Sequence, residues 1–318
     1  MPQLTPGQAR VIDPVLTGIA QGFRQNELVG GLLFPTVSVG ARAGRVIAFG
    51  REDFMQYANL ARAPGEGTRR VQFGYASSPF ALVDYSLEGA LPIEILQEGL
   101  AAENGFSIDG ARIAMAKADA IMALRLELQQ ASLATTLGNY AASNRTTLSG
   151  TSQWSDLGTV SDPIAVVETA KDAIRAATGR QPNTMVMGAR VMRWLRQHPK
   201  IIDRVKYTGR DVPTVELLAA LFGLERVAVG NSITSNDAGT AFTDVWANHA
   251  VVAYTETSPL ASMGTPTFGY TYNLGGYPVA EPAYYDRNSK SWYFPVTRAE
   301  APVIAAQSAG YFIQNAVA

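Results

Sequence analysis

The sequence predicts an α+β protein, and three observations lead to that class. Apolar residues recur at helical spacing from about residue 109 to 136. Between about 162 and 229, helical stretches alternate with short apolar strands, which is typical of a compact α/β unit. Period-two apolar patterns, typical of half-buried strands, occupy 36–91 and the region from 242 onward. A chain of 318 residues has room for roughly two domains of ordinary size.

The composition indicates a large core and a surface with few charges. The chain has 26 Lys plus Arg against 27 Asp plus Glu, a net charge of −1, so no overall field attracts nucleic acid or an acidic membrane. Hydrophobic residues make up 47% and charged residues only 17%, where about a quarter is usual. We interpret the uncharged surface as one that other copies of the chain cover.

Several classes of function lack the residues they need. Without cysteine there is no disulfide, thiolate nucleophile or Cys-bound metal, and the two histidines, His198 and His249, are too far apart for a ligand motif. No G-x-S-x-G or P-loop spacing occurs. We therefore expect no catalytic, cofactor-binding or metal-binding residue. The N-terminus has no signal-peptide pattern, and no apolar run reaches the ~20 residues that span a bilayer, so we expect a soluble, cytosolic protein without a membrane partner.

The first third of the chain consists of two segments that need an external surface. Residues 1–36 carry apolar side chains at helical spacing up to Phe23 and a second apolar piece over 28–34. Neither piece can fold alone, so we interpret them as an arm that docks elsewhere. Residues 36–91 form two predicted strands joined by a long polar excursion at 51–68. An isolated two-stranded ribbon is marginal in water, so this one should lie against a neighbour.

The remaining elements follow in chain order. Ser107 or Asp109 can cap the long helix, whose predicted packing stripe leaves Glu127 and Gln130 on other faces. The stripe consists of Ile113, Ala120, Leu124, Leu128 and Ala131. The polar stretch 139–156 is interpreted as a linker or exposed loop. Then come predicted helices at 162–177, 189–197 and 213–222, and strands at 184–187, 226–229, 245–254, 265–272, 291–297 and 311–316.

Two clusters have both a structural and a functional interpretation. Seven basic residues lie between 190 and 210, and Arg190, Arg193 and Arg196 share one helical face. With Lys200 they form either a solvated or ion-paired face or a patch that contacts nucleic-acid phosphates. Nine aromatic residues lie within 268–294. They fill a sheet face and part of an interface, or alternatively form a sugar-binding platform.

Taken in order, these pieces resemble the major capsid proteins of tailed bacteriophages, which share the Hong Kong 97 fold. The resemblance rests on the order and spacing of degenerate motifs along essentially the whole chain. They are Pro14-Val15-Leu16-Thr17, Val29-Gly30, Leu33-Phe34-Pro35, Val37-x-Val39, Gly44-Arg45-Val46-x-x-Phe49 with Glu52, Tyr207-Thr208-Gly209-Arg210, Val215-Glu216-Leu217-Leu218 and Ala309-Gly310-Tyr311-Phe312-Ile313.

The resemblance implies a division of the chain into six segments. These are the N-terminal arm (1–36), the extended β-hairpin loop with flanking strands (37–90), the peripheral domain with its spine helix (91–157), the axial domain (158–260), a peripheral β-hairpin (261–299) and a final strand that returns to the axial domain (300–318). The implied intersubunit contacts are Phe23, Leu33, Phe34, Arg51, Glu52, Arg69 and Arg70. Residues 44–87 contain no lysine, so the isopeptide cross-link of the founding fold is not expected.

The same resemblance implies a function in assembly. Copies of the chain would form hexamers and pentamers of an icosahedral virion shell around double-stranded DNA, assembled in the host bacterial cytoplasm. A separate scaffolding protein, a portal and a decoration protein are the implied partners, and no cofactor is implied. The main alternative is an encapsulin-like compartment that holds a cargo enzyme. A sugar-binding virion or surface protein built on the aromatic cluster is a further alternative.

Overall fold

The fold is taken from a computed structural model of the chain, which describes residues 27–48, 76–100, 110–206, 213–236, 238–256 and 266–318. The α-helices in these residues are α1 (Gly30–Leu33), α2 (Ile93–Leu100), α3 (Gly110–Ala134), α4 (Pro163–Thr178), α5 (Ala189–Leu195), α6 (Pro199–Val205) and α7 (Val215–Phe222).

The strands number from β1 to β15 in chain order. They are β1 (Thr36–Val39), β2 (Ala43–Ala48), β3 (Ala76–Ala81), β4 (Val83–Pro92), β5 (Arg145–Thr147), β6 (Thr184–Gly188), β7 (Arg226–Gly230), β8 (Ile233–Ser235), β9 (Phe242–Asp244), β10 (Ala250–Ala253), β11 (Gly269–Leu274), β12 (Val279–Ala280), β13 (Tyr284–Asp286), β14 (Ser291–Ile304) and β15 (Gly310–Gln314). The described residues fall into a larger unit (27–83, 124–275 and 299–318) and a smaller unit (84–123 and 276–298).

A five-stranded sheet in the order β5-β15-β10-β6-β7 forms the centre of the larger unit. Its interior strand β6 is buried at every residue, antiparallel to β10 and parallel to β7. Helix α4 packs on β10 and β15. It begins where Asp162 accepts a hydrogen bond from the Ala165 N–H, with Pro163 in its first turn, and it ends at Gly179, whose φ of 71° suits glycine. These helix signals explain why the prediction for 162–177 is confirmed.

Each face of this sheet carries its own apolar core. On one face, residues of α4–α7 such as Ile174, Leu195 and Phe222 are fully buried. The core on the other face contains Trp246 and Phe268, together with the end of α3 and the segment around α1. Strand β1 then runs parallel to β11, which is antiparallel to residues 300–304 of β14.

The smaller unit packs the first half of α3 beside strands. Ala118 and Met122 are buried with Val296, and Tyr85 packs against them. Close approach is possible because β4 has Gly89 at the contact, where an added Cβ would stand 2.4 Å from the Ala114 carbonyl oxygen. Strands β12 and β13 both pair antiparallel with the first part of β14.

The predicted long helix is confirmed as Gly110–Ala134, and the predicted packing stripe is confirmed at Ala131, which is buried, but wrong at Ile113. Ile113 is 48% exposed, whereas the buried side chains of the first half are small or flexible. Glu127 and Gln130, expected on other faces, are 2% and 3% exposed. The physical reason is close packing against neighbouring backbone, which favours alanine over isoleucine, together with hydrogen bonds that satisfy the two buried polar groups.

The stretch 139–156 is not an exposed loop. It contains β5, which pairs parallel with β15, and it buries Tyr140 and Trp154. The backbone N–H of Trp154 donates to the Ala316 carbonyl at 2.7 Å, so a backbone donor of this polar stretch finds its acceptor in a distant part of the chain. Composition alone does not reveal such a partner.

Three further predictions need correction. The strand predicted at 245–254 is shorter, because residues 245–249 turn to bury Trp246 and only Ala250–Ala253 joins the sheet. The helix predicted over 189–197 ends at Leu195, and His198 is the N-cap residue of the next helix, α6. Strand β14 continues to Ile304, beyond the predicted end at 297.

Candidate functional site

The base of the N-terminal segment is held by a buried carboxylate on α3. Glu127 Oε2 accepts the Gly30 N–H at 2.8 Å, and Oε1 accepts both the Val29 N–H at 3.0 Å and the indole N–H of Trp246 at 2.6 Å. All these groups are buried, so each charge-assisted bond lacks competition from water. The carboxylate therefore fixes the backbone at Val29 and Gly30.

A second polar contact from α3 secures the same segment. Gln130 Nε2 donates to Thr271 Oγ1 at 2.9 Å, and Thr271 Oγ1 donates to the Phe34 carbonyl at 3.1 Å. Gly30 is required here because an added Cβ would stand 2.2 Å from Gln130 Oε1. Sequence reasoning missed Glu127 and Gln130; the available signal was two polar residues three apart on a helix face that otherwise carries alanines.

Two of the predicted intersubunit contacts are wrong. Leu33 and Phe34 are fully buried within their own chain, and the Phe34 ring lies 5.5 Å from that of Phe268. A side chain with no exposed surface inside its subunit has none left for a neighbour. The correction follows from Glu127, which draws residues 29–34 into the core. Phe23 lies outside the described residues.

The four predicted contacts in the extended loop, Arg51, Glu52, Arg69 and Arg70, also lie outside the described residues. The base of that loop is described and confirms the predicted strand pairing. Strands β2 and β3 are antiparallel over six residue pairs, from Ala43 opposite Ala81 to Ala48 opposite Ala76. The Phe80 ring stacks on Tyr272 with 4.4 Å between centroids, which ties the base to β11.

The basic residues of α5 and α6 divide into paired and unpaired groups. Arg190 forms an ion pair with Asp244 at 3.2 Å, and Lys200 forms one with Asp162 at 3.0 Å. Arg193 lies over the Trp194 ring at 5.4 Å, and neither Arg193 nor Arg196 pairs with a carboxylate among the described residues. Within the described ranges, the patch predicted from sequence thus retains two arginines whose charge no carboxylate neutralises.

Arg193 and Arg196 border a groove of about 970 Å³ in the larger unit, which we call the edge groove. Its lining includes Glu27, Val29, Met192, Arg193, Arg196 and Val229. Apolar side chains therefore lie beside two positive charges. Sequence spacing gave no indication of this groove, because its walls come from distant parts of the chain.

His198, which joins α5 to α6, is fully buried and its Nε2 lies 3.2 Å from Ser161 Oγ. Burial lowers the pKa of His198, the nearby Lys200 ammonium lowers it further, and the Asp162 carboxylate opposes both effects. The pKa of Asp162 is itself lowered: burial opposes the shift, but the hydrogen bond from the Ala165 backbone and that from Lys200 outweigh it. His198 is therefore neutral at pH 7.

The aromatic cluster forms ring pairs between β13 and β14. Tyr284 stacks on Tyr293 at 5.4 Å, and Tyr285 lies 5.5 Å from Trp292. The Tyr284 hydroxyl donates to the Glu88 carboxylate, and that bond raises its pKa. Tyr284 and Tyr285 remain 46% and 37% exposed, so part of this surface is free for a partner.

Large apolar side chains are exposed in both units. Phe242 and Val160 are 66% exposed in the larger unit, and Ile95, Ile113 and Ile121 are each about half exposed in the smaller one. Within the described ranges, no helix is long and apolar enough to cross a membrane, and no group of three or more potential ligands is placed to bind a metal. The exposed apolar surface is of the kind that protein partners cover.

Comparisons with known proteins agree with this picture. The model of a family described as "Phage major capsid protein E" matches residues 139–279. The major capsid protein of Burkholderia phage BcepMu is 34% identical over 309 residues, covering 96% of this chain and 97% of that protein. Among solved structures, a phage-related protein from Bordetella bronchiseptica RB50 is 36% identical, with a TM-score of 0.75 over 97% of this chain and 98% of that chain. A chain from the capsid of Cyanophage P-SCSP1u is 11% identical with a TM-score of 0.60, covering 92% of this chain and 89% of that chain.

The architecture is the Hong Kong 97-like fold of phage capsids, and the predicted fold class is confirmed. With 34% identity along almost its whole length to a named relative, the chain belongs to the phage major capsid protein family. Its role is structural and not enzymatic, its copies assemble into a shell, and its location is the virion capsid.

Proposed function

We propose that copies of this chain form hexamers and pentamers that close into an icosahedral shell around the double-stranded DNA of a tailed phage. The observation that carries the proposal is the near full-length match to a phage major capsid protein. The exposed apolar side chains of both units add support, because a lone subunit leaves them in water. Standard interfaces bury ~1,600 Å², and several such contacts per subunit sum to a stable assembly.

The six segments have distinct roles in this proposal. The arm (1–36) and the extended loop (37–90) reach neighbouring subunits. The peripheral segments (91–157 and 261–299) and the axial segments (158–260 and 300–318) form the body of each capsomer. Buried Leu33 and Phe34 modify the first role, because the reaching part of the arm then ends before residue 27.

Four charged residues are the proposed contacts of the loop: Arg51, Glu52, Arg69 and Arg70. Phe23 is the proposed contact of the arm. Reversing Arg69 and Arg70 to Glu should reduce particle yield while leaving the melting of the unassembled subunit unchanged, because the charges act between copies. A matching loss of subunit stability would place this ribbon in the subunit's own core.

Arg193 and Arg196 have no carboxylate partner in the described part of the chain, so the basic patch that they form with Arg190 and Lys200 either stays solvated or contacts packaged DNA. Packaged DNA would be held there through phosphates without sequence preference. We also propose a separate scaffolding protein, a portal and a decoration protein as partners, and assembly in the host bacterial cytoplasm. Reversing Arg193 and Arg196 to Glu tests the DNA contact: retained genome per particle should fall if the patch faces the cavity, and remain unchanged otherwise.

Electron microscopy of the purified, concentrated chain tests the central proposal. Closed shells with five-fold and six-fold rings are the expected result, either from the chain alone or after co-expression with a candidate scaffold. A chain that stays monomeric under both conditions would contradict the proposal. Shells that contain a cargo enzyme in place of DNA, when isolated from the native source, would favour the encapsulin-like alternative.

A further inference from the structure

The edge groove lies along an unpaired strand edge. Strand β7 ends the five-stranded sheet, and no described strand pairs with its outer side. In a parallel pair, alternate residues direct their N–H and C=O groups away from the partner, so β7 presents a row of backbone donors and acceptors.

The lining of the groove places it across this edge. Val29 belongs to the core on one face of the sheet, whereas Met192 and Val215 belong to the core on the other. Val229 of β7 and Asn231, just after β7, line the part of the groove that lies between these two cores. An extended peptide laid there would pair with β7 and bury side chains against both cores.

The charges around the groove favour a peptide with a carboxylate. Arg193 and Arg196 have no carboxylate partner among the described residues, while Glu27 on the rim bonds to Asn231 at 2.5 Å. The apolar floor formed by Val29 and Val229 suits peptide side chains better than a phosphate backbone, which prefers polar surroundings.

The chain itself contains a segment with these properties. Asp13 is the one carboxylate in residues 1–26, and in an extended strand Val11, Asp13 and Val15 share a face. Pro14 is compatible with an added strand, because that strand would become the new edge of the sheet. Asp13 lies fourteen positions before Glu27, which gives a reach of up to about 46 Å when extended.

We propose that residues 9–15 of a second copy bind the edge groove as an additional strand beside β7, with Asp13 between Arg193 and Arg196. The inference rests on the proposed self-assembly and names one of its contacts. When the strand is passed on to a further copy and not exchanged reciprocally, the contact is head-to-tail, and such contacts close into rings where the rotation between copies allows it.

Engineered cysteines test the proposal cleanly, because the chain contains no cysteine. Val11→Cys or Val15→Cys is combined with Gln197→Cys on the groove rim, and particles are oxidised and run on a non-reducing gel. Covalent ladders of two or more chains are expected. The matched control pairs the same arm cysteine with Thr169→Cys, an exposed position on α4 outside the groove lining.

Charge reversal supplies an independent readout of the same contact. Arg196→Glu in the cysteine background should lower the interchain cross-link yield about tenfold, and Asp13→Arg should restore most of it by re-forming the ion pair in reverse. Arg204→Glu, an exposed α6 variant outside the groove lining, controls for net charge and should leave the yield unchanged.

The outcomes separate this inference from the proposed function. Particles with no more interchain product than the Thr169 control, or with only an intrachain bond, overturn the inference alone. Failure of charge rescue also overturns the assigned Asp13 contact. A cysteine-free parent chain that forms no shells under any condition overturns the proposed function and the inference together.

Discussion

Replacing Glu127 by Gln should destabilise the subunit by about 3 kcal/mol, a large share of the 5–15 kcal/mol typical of a folded protein. The amide oxygen can replace Oε1 and keep the bonds from Val29 and Trp246. The amide NH₂, however, would face the Gly30 N–H, so a donor would meet a donor where Oε2 now accepts at 2.8 Å. One charge-assisted bond to a carboxylate contributes about 1.5–3 kcal/mol, and a buried donor left without an acceptor adds to the loss.

Urea unfolding of the unassembled chain, followed by far-UV circular dichroism, measures this effect. The midpoint should fall while the slope with denaturant remains unchanged. The matched control is Glu168→Gln on α4, an exposed carboxylate paired with Lys171, for which we expect a change below about 0.5 kcal/mol. An E127Q midpoint equal to that of the wild type would refute the assignment of Glu127 as the anchor of residues 29–34.

A double-mutant cycle with Trp246→Phe tests whether these groups act together. Removing the indole N–H leaves Glu127 with two backbone donors, so the single change should cost about 1.5–3 kcal/mol for the lost charge-assisted bond, and the smaller ring adds a packing loss in this buried site. Because both variants disturb the same carboxylate, the double variant should lose less than the sum of the two. Strict additivity would indicate that the indole does not contribute to the carboxylate's binding energy.

Three other perturbations follow from the packing and the buried histidine. Gly89→Ala should lower subunit stability by about 1–3 kcal/mol, because the new methyl group would overlap the Ala114 carbonyl; an unchanged melting temperature would contradict this close contact. Because the pKa of His198 is lowered in the fold, the neutral histidine contributes fully to the free energy of unfolding above its unfolded pKa of about 6.5, and this contribution is lost as pH falls through the folded pKa. His198→Gln should therefore make the free energy of unfolding depend less on pH between about 7.5 and 5. Deleting residues 1–26 should preserve the folded larger unit, whereas deleting 1–36 should cost at least about 4 kcal/mol, measured by urea unfolding.

Controls sharpen these measurements. Gly31→Ala is the control for the Gly89 variant, because an added Cβ at Gly31 meets nothing within 4 Å and should cause no steric overlap. Burial also lowers the pKa of His249, so His249→Gln should remove a separate part of the same pH dependence. Equal stability of the two truncated chains would contradict the placement of Leu33 and Phe34 in the core.

The predictable part of the fold is the part with strong local signals. Helix α4 has a capping aspartate, a proline in its first turn and a terminal glycine, and its predicted bounds differ from the observed ones by one residue at each end. The buried strand β6 consists of apolar residues bounded by polar and glycine positions, and it was also predicted closely. In both cases, residues within the element itself determine where it begins and ends.

The parts that could not be predicted depend on distant partners. Trp154 and Tyr140 lie in a polar stretch, and their burial follows from contacts with the C-terminal strand and α3. The sequence predicts that Ile113 is buried, because large apolar residues usually are. In the structure Ile113 is half exposed, and Ala118 is the residue of this half of α3 that packs in the core. Glu127 is the most instructive case. Burial of a carboxylate is favourable only where hydrogen-bond donors surround it, and its donors lie about 100 residues away in sequence, so the sequence could not predict its burial.

The position of Glu127 also explains why the N-terminal segment is interpreted differently after the structure is known. From sequence, the whole of residues 1–36 reaches outward, because neither apolar piece has a local partner. In the fold, the carboxylate binds the backbone at Val29 and Gly30, so the second piece belongs to the subunit core. In the proposed assembly, the reaching part of the arm therefore ends before Glu27, which itself lines the edge groove.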